Sequence, residues 1–258
     1  MVAQEWIRAS ATCIGSSHIK SDTECQDFHR TFEVVADDRQ FLVLIGSDGA
    51  GSYDYGKIGA VLVCEILGSL ARTYLNEYRK LPEEHVIASW FQYLQLVLIN
   101  VSENMASEIR QFSATALLAI YSDNILITAH VGDGAIVIRT SDDEWQTISK
   151  PENGEYASTT YFVTDTKNLR LRIRETCCQL SGISLFTDGI ESLVLDSASM
   201  IPHAGFLEPF YSSLSKGALK NGRDCKFSNQ LKGFLLSERI NDRTDDDKTF
   251  VIAVKRTP

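Results

Sequence analysis

The chain has 258 residues, 44% of them hydrophobic, so it can bury a full core as one large domain or two small ones. Its formal net charge of -9 argues against a nucleic-acid partner, which needs clustered lysines and arginines, and agrees with cation binding. No segment approaches the roughly 18 to 20 uninterrupted apolar residues of a membrane span, so no membrane association is expected.

Other global features predict a single cytoplasmic domain. No linker rich in proline, glycine or serine divides the chain, so residues 1–258 are expected to form one domain. Residues 1–8 lack the basic stretch and apolar run of a secretory signal. The six cysteines show neither paired spacing nor a Cys-x-x-Cys motif, which is typical of reduced thiols rather than of disulfides or a zinc site.

The first half of the chain predicts three strands followed by two long helices. Apolar or alternating runs predict strands at 5–14, 31–36 and 40–46, with a polar loop at 15–27 between the first two. Apolar residues from Ile58 to Tyr74 recur at helical spacing and predict a buried helix that fades by residue 80. Pro82, followed by two glutamates, begins a second helix that runs to about residue 110.

The second half of the chain predicts mostly strands. Short runs at 115–121, 125–131, 135–140 and 145–148 are separated by turns, which is the pattern of an antiparallel meander. Further strands are predicted at 156–163, 169–174 and 183–186, before a helical region at 206–241 and a last strand at 250–254. The run 169–174 alternates leucine or isoleucine with arginine, so it has one dry face and one wet face. This order of elements predicts an α+β fold, with helices packed on antiparallel sheets.

Aspartates stand beside four of the strand-like runs. Asp48 follows an apolar run in a Ser-Asp-Gly-Ala-Gly corner, Asp133 lies in Val-Gly-Asp-Gly, Asp188 lies in Phe-Thr-Asp-Gly, and the acidic run 245–247 precedes the last strand. Taken singly, each aspartate is more simply a turn or helix-cap residue. Carboxylates that converge at the rim of a sheet repel one another unless cations lie between them, and ligands made only of oxygen select Mg²⁺ or Mn²⁺ over zinc. The four together therefore predict a metal site.

Six short motifs follow one another along the chain. They are Cys25-Gln26-Asp27, SDGAGS at 47–52, SATA at 113–116, VGDG at 131–134, FTDGIE at 186–191 and DDKT at 246–249. This ordered series resembles the metal-dependent protein phosphatases of type 2C, and residues 154–164 are similar to a segment of the bacterial branch of that family. The resemblance implies a four-layer α/β/β/α sandwich of two antiparallel sheets flanked by helices, with metals in a cleft at one end.

The resemblance also implies a centre of two or three Mn²⁺ or Mg²⁺ ions. Its ligands by position are Asp48, the backbone carbonyl of Gly49, Asp133, Asp188 and Asp246. Asp48 bridges two of the ions, and Asp133 with Asp188 holds a third, weakly bound ion. Asp27 lies behind these ligands and orients metal-bound water. A shift of one residue in the acidic run makes Asp247, instead of Asp246, the ligand.

Three positions depart from the pattern of the family. Gln26 stands where many members have glutamate, Asp22 where many have a phosphate-binding arginine, and Ala50 where animal members have a histidine proposed as general acid. Lys20 or His18 is the nearest candidate to bind the substrate phosphate in place of that arginine. An imidazole titrates near neutral pH, so His18 is a candidate to protonate the leaving group, although a lone histidine in a loop is more often a surface residue.

The sequence therefore predicts a protein serine/threonine phosphatase, which hydrolyses phosphoserine or phosphothreonine with a metal-activated water at a binuclear centre. Its expected partner is a phosphorylated protein, either a serine/threonine kinase or the targets of one, in a bacterial cytoplasm, and the chain is expected to be a monomer. Two alternatives stay open. One is a phosphoprotein-binding regulatory module that hydrolyses poorly, because the arginine and the histidine are missing. The other is a phosphoesterase for small phosphorylated metabolites.

Overall fold

The computed structural model describes residues 6–152, 160–217 and 221–256. Within these ranges the chain forms eleven strands in two sheets. The strands are β1 (Trp6–Cys13), β2 (Phe28–Ala36), β3 (Arg39–Ser47), β4 (Ala116–Ser122), β5 (Ile125–Val131), β6 (Ala135–Thr140), β7 (Trp145–Ser149), β8 (Arg172–Cys177), β9 (Leu180–Phe186), β10 (Gly222–Arg223) and β11 (Lys248–Lys255). The six-stranded sheet has the order β10-β1-β11-β9-β6-β7, and the five-stranded sheet has the order β2-β3-β4-β5-β8.

Seven α-helices accompany the strands in the described part of the chain, and the longer ones cover the outer faces of both sheets. The seven are α1 (Ser16–Lys20), α2 (Gly56–Tyr78), α3 (Glu84–Asn104), α4 (Glu191–Val194), α5 (Ala204–Ser215), α6 (Cys225–Leu235) and α7 (Glu238–Asn241). Helices α2 and α3 pack on the five-stranded sheet, and α5 and α6 pack on the six-stranded sheet. A third apolar cluster lies between the two sheets. These three cores separate four layers, so the predicted α/β/β/α sandwich is confirmed.

Strand β3 shows how the sequence produces these layers. Successive side chains of a strand point to opposite faces of its sheet, and both faces of β3 are covered. Phe41, Val43 and Ile45 are buried against the helices, whereas Leu42 and Leu44 are buried between the sheets. Burial of such a side chain stabilises the fold by roughly 1.5 to 3 kcal/mol. A strand in this position is therefore apolar throughout, and it carries the residue that follows it, Asp48, to the rim of the sheet.

Helix α2 is long and apolar enough by composition to cross a membrane. In this fold its apolar side, which includes Val63, Leu67 and Ala71, is buried in the core that it shares with the five-stranded sheet. Packing against β2 and β3 therefore accounts for the hydropathy of the helix.

The predicted meander is wrong, because β5 and β6 belong to different sheets. Strand β5 pairs with β4 and β8, whereas β6 pairs with β7 and β9. The chain crosses from one sheet to the other at residues 131–134, where Gly132 has a φ of 109°. A Cβ atom at Gly132 would lie 2.6 Å from Thr115 Cγ2, so both the φ angle and the space require glycine. This crossing places Asp133 where the two sheets meet.

Several predicted boundaries also differ from the structure. The loop predicted at 15–27 contains the short helix α1, and the second long helix ends at Asn104, before a 3₁₀ helix at Ile109–Phe112. Strand β8 begins at Arg172 rather than at residue 169. Of the strand predicted at 156–163, residues 156–159 lie outside the described part of the chain, and residues 160–163 form no regular strand. The two-residue β10 pairs with β1 in parallel, whereas the five-stranded sheet is entirely antiparallel.

Candidate active site

The corner after β3 is held by hydrogen bonds to residues 113–115. The backbone N–H of Asp48 donates to Thr115 Oγ1 at 2.9 Å, and the N–H of Thr115 donates to the Asp48 carbonyl at 2.8 Å. The N–H of Ala50 donates to the Ser113 carbonyl at 2.9 Å. These bonds pair the backbone of a buried corner and hold the Asp48 carboxylate in a fixed direction. They also give a physical role to the Ser-Ala-Thr-Ala motif.

Gly49 lies too close to neighbouring backbone to carry a side chain. A Cβ atom at Gly49 would lie 2.3 Å from the Gly56 carbonyl oxygen and 3.0 Å from the Gln26 carbonyl oxygen. The N–H of Gly49 donates to that Gln26 carbonyl at 3.3 Å. The glycine therefore lets the first turn of α2 and the segment before β2 close on the corner.

Three carboxylates converge beside this corner. Oxygen atoms of Asp48, Asp133 and Asp188 lie within 4.8 Å of one another. Burial raises the pKa of Asp48 well above its ordinary value, and the charges of Asp27 and Asp188 raise it further. Burial likewise raises the pKa of Asp188, with further increases from the charges of Asp133 and Asp246. A hard divalent cation neutralises a group of oxygen ligands of this kind.

Asp27 forms the buried floor of the site. Its carboxylate is inaccessible to solvent, and Oδ2 accepts a hydrogen bond from Thr187 Oγ1 at 2.8 Å. Burial raises the pKa of Asp27 to about 6. The Asp27 backbone carbonyl accepts from Lys57 Nζ at 2.7 Å.

Several buried oxygens of the site have no hydrogen-bond partner among the described residues. They are Asp27 Oδ1, Asp188 Oδ1 and Gln26 Oε1. A buried oxygen without a partner is costly, and a cation or a water molecule held by one removes that cost. The convergence of carboxylates and the unpaired oxygens beside them therefore fit a divalent-metal centre.

Asp247, in the acidic run before β11, is fully engaged by the protein itself. Its carboxylate is buried and accepts from the N–H of Gly15 at 2.6 Å, the N–H of Gln26 at 2.5 Å and His18 Nδ1 at 2.9 Å. Asp247 therefore ties the loop that follows β1 to the strand that closes the chain. The charge of its neighbour Asp246 instead contributes to the raised pKa of Asp188.

His18 lies at the edge of the site. Its Nδ1 atom is paired with Asp247, and only 14% of its side chain is exposed. Its Nε2 atom lies beside the Asp-Gly-Ala-Gly corner, because a Cβ atom at Gly51 would be 3.2 Å from it. The structure therefore brings His18 to the corner that carries Asp48. Lys20 ends the same short helix and is exposed.

Other residues of the site were missed from the sequence. Lys248 is completely buried, and its Nζ donates to Asn241 Oδ1 and to the Asp246 carbonyl, both at 3.1 Å. Thr160 Oγ1 donates to Asp133 Oδ2. The sequence signal for Lys248 was its place in the DDKT motif at 246–249, which was interpreted only for its aspartates. Thr160 lies in the segment 154–164 that resembles the bacterial branch, but its contact with Asp133, 27 positions earlier in the chain, was not predicted.

Residues 14–235 match the family described as protein phosphatase 2C. The chain belongs to this family. Serine/threonine-protein phosphatase 3 of Escherichia coli (strain K12) is 31% identical to it over 255 residues, a match that covers 96% of this chain and 98% of that protein. The predicted family and the predicted enzyme class, a protein phosphatase, are confirmed.

Solved structures share the fold of this phosphatase at lower sequence identity. A bacterial serine phosphatase has 15% identity and a TM-score of 0.64, with 97% of this chain and 98% of that chain covered. Serine/threonine phosphatase Stp1 from Staphylococcus aureus has 16% identity and a TM-score of 0.61, with 97% and 95% covered. The layered architecture is thus retained while most side chains differ.

Proposed function

We propose that this type 2C phosphatase hydrolyses phosphoserine and phosphothreonine in proteins at a centre of two or three Mn²⁺ or Mg²⁺ ions. The observation that carries the proposal is the convergence of Asp48, Asp133 and Asp188 within 4.8 Å beside buried oxygens that lack protein partners. The donors are all oxygen, which favours these hard cations over zinc. When bound, such ions lower the pKa of water and neutralise charge on a phosphoryl group.

The proposed metal ligands are those that the sequence predicted. Their set is Asp48, the Gly49 carbonyl, Asp133, Asp188 and Asp246. Asp246 is preferred to Asp247 because both oxygens of Asp247 already accept hydrogen bonds from the protein. Asp27 is proposed as a positioning residue, because it is fixed by Thr187 and contributes to the raised pKa of Asp48.

The test of metal dependence is hydrolysis of a phosphothreonine peptide and of an aryl phosphate, with Mn²⁺, with Mg²⁺ and with EDTA. We expect turnover only with a divalent ion, and restoration when Mn²⁺ is returned after EDTA. Activity that survives EDTA would contradict the proposed centre. A panel of sugar phosphates and nucleotides tests the substrate class, since a metabolite phosphoesterase would prefer one of these to the peptide.

We further propose that His18 protonates the leaving oxygen of the substrate serine or threonine. In the imidazolium form of His18, Nδ1–H donates to Asp247 and Nε2 beside the corner carries the second proton, which is the one transferred, so that His18 is left as the neutral imidazole. As the P–O bond breaks, that proton moves from Nε2 to the departing oxygen. A paired carboxylate of this kind holds an imidazole in one orientation, which a surface histidine does not need.

The dependence on the leaving group tests this role of His18. An alkoxide leaving group needs a proton, whereas an aryl oxide leaves readily without one. We expect His18→Gln to lower kcat on the phosphothreonine peptide by roughly 10²-fold, and kcat on the aryl phosphate much less. An equal loss on both substrates would contradict general-acid catalysis. Lys20→Ala is the comparison, because loss of a phosphate-binding cation would raise KM for both substrates alike.

The cellular setting is proposed from the sequence and from the family. We propose that residues 1–258 act as one domain and as a monomer in a bacterial cytoplasm, on the phosphorylated targets of a serine/threonine kinase or on the kinase itself. The relative from Escherichia coli is named for action on serine and threonine, which supports this substrate class.

A further inference from the structure

The alternating run at 169–174 directs its arginine side chains toward the space between the two sheets. Leu171 and Ile173 pack on the helix side of the five-stranded sheet. Arg172 and Arg174 pair across strands with His130 and Thr128, on the same face as Leu126, which is buried between the sheets. The arginines of β8 therefore point into the gap where the edge strands β8 and β7 face each other.

That gap is a cavity of about 480 Å³, which we call the edge cavity. The residues that line it are three cationic residues, three residues with hydroxyl groups and two isoleucines, namely Lys150, Arg172, Arg174, Thr128, Thr147, Ser149, Ile148 and Ile173. Its volume lies in the range of small-ligand sites.

Contacts with β5, with β7 and with the residue that follows β7 engage the two arginines. Arg172 Nη2 donates to the Lys150 carbonyl at 2.8 Å and to His130 Nδ1 at 3.0 Å, and Arg174 Nη1 donates to the Ile148 carbonyl at 3.5 Å. A guanidinium group carries five N–H donors, so most donors of Arg174 remain for a ligand. Arg172 is therefore held in place by several partners, whereas Arg174 and Lys150 are exposed side chains that add positive charge to the cavity.

The charges in the edge cavity are not balanced. Glu152 pairs with Arg172 at 2.9 Å, while Lys150 and Arg174 add two more positive charges. The pKa of Arg172 is lowered by its removal from water; the charge of Glu152 opposes this shift, and the charge of Arg174 adds to it to a smaller extent. An anion between these groups would relieve that repulsion. The concentration of cations is notable in a chain whose net charge is -9.

We propose that the edge cavity is a second oxyanion site, which binds a phosphate-type group away from the carboxylate cluster. The paired N–H groups of an arginine guanidinium can donate two hydrogen bonds to phosphate oxygens, and Lys150 supplies a further positive charge. Thr128 and His130, the cross-strand partners of Arg174 and Arg172, lie five and three residues before Asp133, so the edge cavity extends from roughly 10 to roughly 16 Å from Asp133 at 3.3 Å per residue. The bound group is either free phosphate or a phosphorylated residue of a polypeptide.

Calorimetric titration of the full chain with inorganic phosphate, and separately with a phosphoserine peptide, tests the proposal. Asp48→Asn is the background in both titrations, with EDTA present, so that the carboxylate cluster holds no metal. We expect saturable binding of at least one of the two ligands, weakened roughly tenfold or more by Arg174→Gln combined with Lys150→Gln. Both substituted side chains are exposed, so the fold is expected to tolerate these changes.

The matched control is Arg223→Gln combined with Lys226→Gln, two exposed cations at the opposite edge of the six-stranded sheet. Binding of phosphate alone would identify free phosphate as the ligand, and tighter binding of the peptide would identify a phosphorylated polypeptide. The proposal is overturned if neither ligand binds, if the edge-cavity variant binds as well as its parent, or if the control variant loses as much affinity. Because no catalysis is measured, these outcomes are independent of whether the phosphatase proposal holds.

Discussion

Asp48→Asn is expected to abolish phosphatase activity and, at the same time, to stabilise the metal-free protein. Activity should fall by roughly 10² to 10³-fold or more, since a preorganised charge at the reacting centre is lost. Without metal, Asp48 is repelled by Asp27 and Asp188, and asparagine removes that repulsion. We expect about 1 to 2 kcal/mol of added stability, or a rise in Tm of roughly 2 to 4 °C for each kcal/mol. Turnover assays and thermal melts in EDTA measure the two effects.

The stability that Asp48→Asn adds to the metal-free protein should increase with pH. Asp27 shows the sign, because its folded-state pKa is raised from 3.8 to about 6. An acid whose pKa is raised by folding binds its proton more tightly when folded, so the folded state loses stability as pH rises from 3.8 through about 6. The pKa values of Asp48 and Asp188 are raised well above the ordinary value, which extends this window upward. The difference in Tm between Asp48→Asn and the parent should therefore be larger at pH 8 than at pH 5.

The control for Asp48→Asn is Asp245→Asn, which removes one negative charge from an exposed side chain in the acidic run. It should leave both turnover and the EDTA melt close to those of the parent. Equal stabilisation by the two substitutions would mean that net charge, and not the carboxylate cluster, limits the stability of the metal-free protein.

Asp247→Ala is expected to cause the largest loss of stability, about 3 to 5 kcal/mol. The substitution leaves the buried N–H groups of Gly15 and Gln26 without their acceptor and releases His18. The loop after β1 then loses its attachment to β11, and the floor of the site loses its shape. Chemical denaturation measures the free energy of unfolding, and an unchanged value would contradict this structural role.

The neighbouring substitution Asp246→Ala separates structure from chemistry. We expect it to lower Mn²⁺ affinity and turnover while leaving the free energy of unfolding in EDTA unchanged or slightly higher. Burial raises the pKa of Asp246, the hydrogen bond from the Asp247 N–H at 2.8 Å opposes that shift, and the charge of Asp247 adds to it. Removal of the Asp246 carboxylate therefore relieves desolvation and charge repulsion in the metal-free state at the cost of one hydrogen bond. If Asp246→Ala unfolds the protein and Asp247→Ala abolishes metal binding in a stable fold, the proposed assignment of the two residues is reversed.

Local patterns predicted most of the elements, because a strand that is buried on both faces is apolar at nearly every position and is easily recognised in the sequence. Strands β3, β4 and β11 are continuous apolar runs, and α2 has a buried stripe at helical spacing. The run at 169–174 was correctly divided into a dry and a wet face, but its wet face lies in the gap between two sheets. The pairing of strands could not be read in the same way, because sequential turns do not distinguish a hairpin from a crossing between sheets.

The sequence by itself determined the family, the layered α+β fold and the ordered aspartates, because each of these is recorded in residue types at short spacing. Only the tertiary structure decided which aspartate is free to bind metal and which is engaged by hydrogen bonds within the protein. Asp246 and Asp247 are adjacent in the chain, yet the Asp247 carboxylate accepts three hydrogen bonds from residues more than 200 positions away. The place of His18 beside Gly51 also depends on that contact. Such roles follow from which distant backbone atoms meet a carboxylate, and no local pattern contains that information.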